Sequence, residues 1–292
     1  MSLAYPALQK MRYAKFISLF NGFKKLPLND KKILMFTTSR GKLGGNLLAI
    51  KNYIEKNSLP FEITVFTSVN MPDLKTVAKE MVQSKFILVD DYEPMVYTIS
   101  LRDKQELVQV WHAMGAFKKF GYSRSTANKS SLTHKNYTKA IVSSKEITGI
   151  YAEAFGIDES RVYPVGVPRT DVLFDEEYKA ETIARLYDKQ PLLKGKKICL
   201  FAPTFRGSNV NDGYYPEDFF VAEKFVNSLP DDWAVIVKYH PFIKNTPDIP
   251  YSVKNRVFDF TDERDINDIL FITDVLVTDY SSVIFELSLI HI

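Results

Sequence analysis

Cysteine is nearly absent: Cys199 stands alone among 292 residues. That excludes an internal disulfide framework and a four-thiolate metal site. A single thiol fits a reducing compartment without establishing one. Histidine is scarce as well, with four in the chain. His112, His134 and His240 lie far apart, and no H-x-x-x-H, C-x-x-C or D-x-D spacing occurs. No metal is expected, and a glycosyltransferase that grips its nucleotide through a metal and a D-x-D is disfavoured. No run approaches the roughly 20 apolar residues that span a bilayer. The amino-terminal stretch has no long apolar core with a cleavage site. Acid is missing from one long stretch. Between Glu106 and Glu146 there is no Asp or Glu, while Lys118, Lys119, Arg124, Lys129, Lys135, Lys139 and Lys145 fall inside it. Phe117, Phe120 and Tyr122 interleave with the first of these. Such a surface attracts polyanions or an anionic bilayer. Lys118, Lys119 and Arg124 are its candidate contacts. No recognisable nucleic-acid module accompanies them, so nucleic acid is not the expected partner.

What is present is ordinary globular chemistry. The chain is 46% hydrophobic and 25% charged, with a net charge of only +3. Its length suits about two domains, and 21 Phe with 16 Tyr can fill large cores. Residues 5–25 combine Leu8, Met11, Phe16, Leu19 and Phe23 near helical spacing with Lys10, Arg12, Lys15, Lys24 and Lys25, and no acid precedes Asp30. Residues 1–30 thus form a basic amphipathic segment, open to two readings: a helix packed on its domain, or one lying on a membrane surface. At the other end the chain stops at Leu289-Ile290-His291-Ile292, inside an apolar helical pattern without a cap. That predicts a carboxyl-terminal domain cut short.

From residue 33 short apolar runs alternate with helical patterns. Strands are predicted at 33–38, 63–66, 86–89, 108–111 and 139–143, with helices at 47–57, 72–83 and up to about 155. A second series has strands at 197–201, 233–237 and 275–277, and helices at 217–228, 265–271 and from 283. The alternation predicts an α/β protein with two doubly wound parallel units, 31–165 and 166–292, facing a cleft. Ligands of such sheets sit outside the carboxyl ends of the strands.

Several polar groups fall there. His112 follows the strand at 108–111; it reads as a general base or as a structural histidine bonded to a backbone carbonyl. Lys238 and His240 follow the strand at 233–237, which Pro241 ends; they read as rim groups or as a surface turn. Thr278-Asp-Tyr-Ser-Ser282 joins the strand at 275–277 to the last helix. Ser281 or Ser282 is its N-cap, and the exposed amides there suit phosphate. The loop 39–46, with Gly41, Gly44 and Gly45, permits close backbone approach or is a flexible turn; it is neither a dinucleotide nor a Walker loop.

Taken in order, these segments resemble the CDP-glycerol glycerophosphotransferases of wall teichoic acid synthesis. The matching pieces are Val108-Gln-Val-Trp-His112 with Phe117-Lys-Lys-Phe-Gly121, Val165-Gly-Val-Pro-Arg-Thr-Asp171 and Phe201-Ala-Pro-Thr-Phe-Arg206. They continue through His240-Pro241, Asp265-Ile-Asn-Asp-Ile-Leu270 and Thr273-Asp-Val-Leu-Val-Thr-Asp-Tyr-Ser-Ser282. Six motifs in this order, over about residues 105–288, make the resemblance specific. Ala113 departs from the glycine usual after the Trp-His pair, which bears on acceptor identity.

The resemblance implies a GT-B fold, a peripheral place on the cytoplasmic membrane face, and no cofactor. It implies a lipid-linked acceptor and transfer of glycerol phosphate from CDP-glycerol with release of CMP. His112 is then the base and His240 touches the donor diphosphate. Thr278, Asp279, Ser281 and Ser282 line the donor, and Lys238 and Arg206 neutralise its charge. A ribitol-phosphate transferase, a metal-independent GT-B glycosyltransferase and a membrane-bound polyanion-binding module are the alternatives.

Overall fold

The computed structural model describes residues 4–291 apart from 40, 129, 135, 208–212, 244, 247 and 264, with the side chains of 4–9 and 217 also left aside. Lys129 and Lys135 of the basic stretch and the Leu8 side chain therefore lie outside the described residues. The chain divides into two compact units, Met1–Arg169 and Thr170–Ile292.

The first unit runs α1 (Ala4–Phe23), β1 (Asn29–Phe36), α2 (Gly45–Lys56), β2 (Glu62–Phe66), α3 (Leu74–Gln83), β3 (Ser84–Val89), a single turn α4 (Pro94–Tyr97), β4 (Glu106–Gln109), β5 (Lys139–Ile141), α5 (Thr148–Phe155) and β6 (Val162–Tyr163). Its strands are all parallel, in the order β2-β1-β3-β4-β5-β6. Successive strand side chains point to opposite faces, and β1 shows it. Leu34 and Phe36 join the core under α1 and α3, while Ile33 and Met35 join a second core with Leu47 and Ile54 of α2. A strand buried on both faces must be a continuous apolar run, which is why β1 was legible.

The amino-terminal helix resolves one of the two readings of its apolar stripe. Phe16 and Phe20 are fully buried, and Tyr13, Leu19 and Phe23 pack against the same core. Those residues are claimed by the domain. Met11 is 68% exposed, so the stripe does not continue to it. Lys10, Arg12, Lys15 and Lys25 are exposed.

The second unit runs α6 (Glu176–Lys189), β7 (Lys197–Phe201), α7 (Ala222–Asn227), β8 (Trp233–Val237), β9 (Val257–Asp259), α8 (Ile266–Leu270), β10 (Val275–Val277) and α9 (Val283–His291). Its parallel sheet has the order β10-β7-β8-β9. Ile198 and Leu200 serve one face and Cys199 and Phe201 the other. Cys199 is thus a buried core residue whose thiol is pushed up to about 11 by desolvation, an inert position.

In both sheets the strand order reverses once, between β1 and β3 in the first unit and between β7 and β10 in the second. The crevice at such a reversal is where α/β sheets bind ligands. The loops after β1, β3 and β4 therefore matter in one unit, and those after β7, β8 and β10 in the other.

Candidate active site

His112 stands three residues beyond Gln109, the last paired residue of β4. Its Nδ1 lies 2.9 Å from the carbonyl oxygen of Asp90, in the loop after β3. A carbonyl can only accept, so Nδ1 carries the hydrogen and Nε2 the lone pair. The structure shows the backbone-carbonyl bond of the structural reading, and that bond leaves the lone pair of the neutral ring on Nε2. The ring stacks on Trp111 at 4.3 Å, and Trp111 stacks in turn on Phe120 at 4.9 Å.

Trp111 adopts φ +48°, a left-handed conformation rare for a bulky residue. Such strain persists only where neighbours over-determine it. Here Gln109 Oε1 accepts from Trp111 N at 2.8 Å, while Asn46 Nδ2 donates to the carbonyls of Val110 and Trp111 at 2.8 and 3.0 Å. Asn46 Oδ1 accepts from Arg169 N at 3.0 Å, and Gln109 Nε2 donates to Tyr137 Oη at 2.6 Å. Asn46 and Gln109 are both buried. They hold the bent strand end that presents His112. The glycine loop is therefore an anchor: it delivers Asn46 into the end of β4.

Neither Asn46 nor Gln109 was singled out from sequence. Gln109 did leave a signal, as a polar side chain inside an otherwise apolar strand. Glu93 was missed too. It is fully buried, and Thr38 Oγ1 donates to it at 2.7 Å, together with Thr38 N. Burial, with Asp90 and Asp91 adding negative charge, pushes its carboxyl from 4.5 up to about 7 against those hydrogen bonds. A folded-state pKa above the unfolded one means that the folded chain binds more protons between about pH 4.5 and 7. Stability then falls as pH rises through that window, by an amount on the order of 3 kcal/mol. Glu93→Gln is neutral throughout and is expected to flatten the decline. Thermal melts near pH 5 and near pH 8 check it; a wild-type drop in Tm no larger than the variant's would mean that Glu93 ionises at no cost.

In the second unit the groups gather at the β7/β10 reversal. Arg206 Nη2 meets Asp279 Oδ2 at 2.6 Å, and Thr204 N donates to Asp279 Oδ1 at 2.7 Å. The pairing holds the Asp279 carboxyl below its ordinary range, despite the opposing effect of burial. Asp279 was expected to line the donor; it instead fixes Arg206, since a carboxylate aimed at a diphosphate would repel it. Thr278 Oγ1 donates to Ala202 O at 2.6 Å, so its proton is engaged in tying β10 to β7. Lys238 was expected on the rim. It is buried, and its Nζ donates to the carbonyls of Glu263 and Thr261 at 2.6 and 3.3 Å, holding the turn after β9. Desolvation lowers its pKa. The apolar strand before it concealed that its stem turns inward.

His240 follows β8 and packs on Phe205 and Phe242 at ring separations of 4.8 and 4.7 Å. Its Nδ1 accepts from Phe242 N at 3.2 Å. The proton of the neutral ring therefore sits on Nε2, the tautomer opposite to that of His112. Backbone bonds thus leave a lone pair on Nε2 of neutral His112 and a hydrogen on Nε2 of neutral His240. Ser281 Oγ accepts from Val283 N at 3.4 Å, a weak cap that leaves the hydroxyl proton directed elsewhere, and Ser282 directly precedes α9. Lys118 and Lys119 are exposed, as is Arg124. Lys139 is paired with Glu106 at 2.9 Å, so the basic stretch is narrower than its sequence suggests.

Two doubly wound parallel units, each with polar side chains past the carboxyl ends of its strands, define a Rossmann-like α/β protein of the GT-B type. The chain belongs to the CDP-glycerol:poly(glycerophosphate) glycerophosphotransferase family, whose profile matches residues 18–291. It is 40% identical over 97% of its length to a teichoic acid poly(ribitol-phosphate) polymerase of Bacillus spizizenii. It is 42% identical over 93% of its length to the teichoic acid ribitol-phosphate polymerase TarL of Staphylococcus aureus, and 33% identical over 72% to a teichoic acid glycerol-phosphate primase of Bacillus subtilis. It covers 48%, 51% and 55% of those proteins, so the chain spans about half the length of the curated relatives it matches. The solved wall teichoic acid polymerase TagF shares the fold, with a TM-score of 0.73 at 18% identity, over 99% of this chain and 78% of that one.

Proposed function

We propose that this chain carries the transfer of a polyol phosphate from a CDP-polyol to a hydroxyl of a teichoic acid acceptor, releasing CMP. The observation that carries the reading is the pair of opposite histidine tautomers, each set by a backbone bond. The acceptor oxygen attacks the polyol-bearing phosphorus. The new P–O bond forms as the bond to the CMP oxygen breaks, and that oxygen keeps the electron pair. Nε2 of His112 takes the hydroxyl proton, a role worth about 100- to 10,000-fold in rate. His240 Nε2–H, Arg206 and the amino-terminal end of α9 neutralise charge growing on the leaving phosphate.

Ribitol phosphate is the favoured cargo, because the relatives near 40% identity are named for it and the glycerol-phosphate primase stands at 33%. The glycerol reading, first from sequence, keeps the support of the family's own description. Incubation with CDP-ribitol or CDP-glycerol and a lipid-linked acceptor, with products sized, tests both. CMP release from neither donor would end the proposal.

We also infer a peripheral place on an anionic membrane. No helix among the described residues is long and apolar enough to cross one. Lys118 and Lys119 are exposed beside Phe117, itself 52% exposed. Lys118→Glu with Lys119→Glu is expected to weaken binding to anionic vesicles by about 1 kcal/mol per charge. Unchanged co-sedimentation would remove this patch from membrane contact.

A further inference from the structure

A cavity of about 190 Å³ opens in the first unit one indole away from His112. Tyr92, Tyr122, Arg124, Thr126, Asn128 and His134 contribute to its wall. Tyr92 and His134 both pack edge-on against Trp111, at ring separations of 5.6 and 6.1 Å, and Trp111 stacks on His112. The reaction read above accounts for His112 and leaves this cavity without a role.

Its wall is built rather than incidental. His134 is fully buried and adopts φ +65°. Its Nδ1 lies 3.0 Å from Tyr137 Oη, while Nε2 has no hydrogen-bond partner among the described residues. The proton order follows from the neighbours. Tyr97 Oη accepts from Glu93 N and lies 3.1 Å from Tyr137 Oη, which takes its proton in the order that leaves no phenol without an acceptor. Tyr137 Oη also accepts from Gln109, and its proton then goes to His134 Nδ1. That order gives every phenol an acceptor and leaves His134 Nε2–H as a buried donor unmatched among the described residues, an arrangement that costs stability until an acceptor arrives. Desolvation keeps the ring neutral, with its pKa lowered to about 4.

Gly121 lets the wall close tightly. At φ +52° it has no room for a side chain, since a Cβ would come 2.0 Å from Ala154 O and 3.2 Å from His134 Cδ2. Asn128 Oδ1 is occupied by Ser130 N–H and Oγ–H, so the group it offers is its amide N–H. The cavity thus presents a guanidinium, amide and hydroxyl donors, and two phenol rings.

We infer that this cavity is an acceptor subsite that holds a phosphodiester-linked polyol unit of the growing chain while the terminal hydroxyl lies at His112. Arg124 answers the phosphodiester charge, Thr126 and Asn128 the polyol hydroxyls, and Tyr92 and Tyr122 the carbon backbone. The inference rests on the transfer reaction proposed above, and the two fail differently.

Thr126 is exposed on the rim, so Thr126→Trp fills the cavity without disturbing the core. It is expected to raise the acceptor KM about tenfold or more, with donor affinity unchanged. Calorimetric titration of a synthetic ribitol-phosphate trimer, in the absence of donor, is expected to show binding to the unsubstituted chain and its loss in Thr126→Trp and in Arg124→Gln. Inorganic phosphate alone is expected to compete weakly, since it lacks the polyol contacts. Trimer binding that persists in both variants, or no trimer binding to the unsubstituted chain, overturns the subsite. Trimer binding lost in the variants, from a chain that transfers from neither CDP-polyol, would keep the subsite and overturn the reaction.

Discussion

His112→Ala is expected to lower the transfer rate at least about 100-fold while leaving the fold and donor affinity nearly intact. A general base contributes roughly 100- to 10,000-fold. Among the described residues the ring's one hydrogen bond is to Asp90 O, so its removal disturbs a single backbone contact. Single-turnover CMP release with saturating donor measures the effect, and circular dichroism checks the fold. A variant that keeps more than about a tenth of the wild-type rate would take the base away from His112. His112→Gln adds a sharper comparison: it restores a donor toward Asp90 O without a basic nitrogen, and is expected to be as inactive as the alanine variant.

The second large effect is on donor affinity. Arg206→Ala and His240→Ala are each expected to weaken binding of the CDP-polyol about ten- to 100-fold, since a hydrogen bond to a charged group is worth roughly 1.5–3 kcal/mol. The paired substitution Ser281→Ala, Ser282→Ala is expected to act in the same direction. Arg206 should be the more sensitive, because Asp279 and Thr204 hold its guanidinium in place before any ligand binds. None of these changes touches Lys118 or Lys119, so vesicle binding should stay constant. Titration of the donor decides it: affinities within twofold of wild type would place the diphosphate elsewhere.

Asp279 and Lys238 show how far motif reading reaches. Asp279 falls within a segment that carries the family resemblance, Lys238 two residues before one, and each lies just past a strand. The structure turns both to support: one carboxylate against Arg206, one ammonium into the carbonyls after β9. A motif records that a residue stands near a site, whereas the direction of its side chain depends on which carbonyls and charges the neighbouring loops bring. The same limit applied to Lys139, whose partner Glu106 lies outside the acid-free stretch, on the neighbouring strand β4. Helix α6 was missed for another reason. Its sequence is dominated by charge, with only a narrow stripe of Thr182, Ile183, Leu186 and Tyr187 turned to the core. Strands β6 and β9, two and three residues long, were missed as well.

The linear sequence by itself determined the α/β class with two parallel units and the placing of His112 and His240 after strands. It could do so because doubly buried parallel strands must be apolar runs and the residues that follow them must lie at one edge. Only the tertiary structure decided what those residues can do. Which nitrogen of each histidine carries the proton is set by Asp90 O and Phe242 N, groups that no side-chain pattern encodes. The strained Trp111 turn is held by Asn46, 65 residues away. In the wall of the cavity beside it, Gly121 packs against Ala154 of α5. Hydrogen-bond direction and cavity shape arise from backbone atoms brought together across the fold, and backbone atoms are the same in every residue of the sequence.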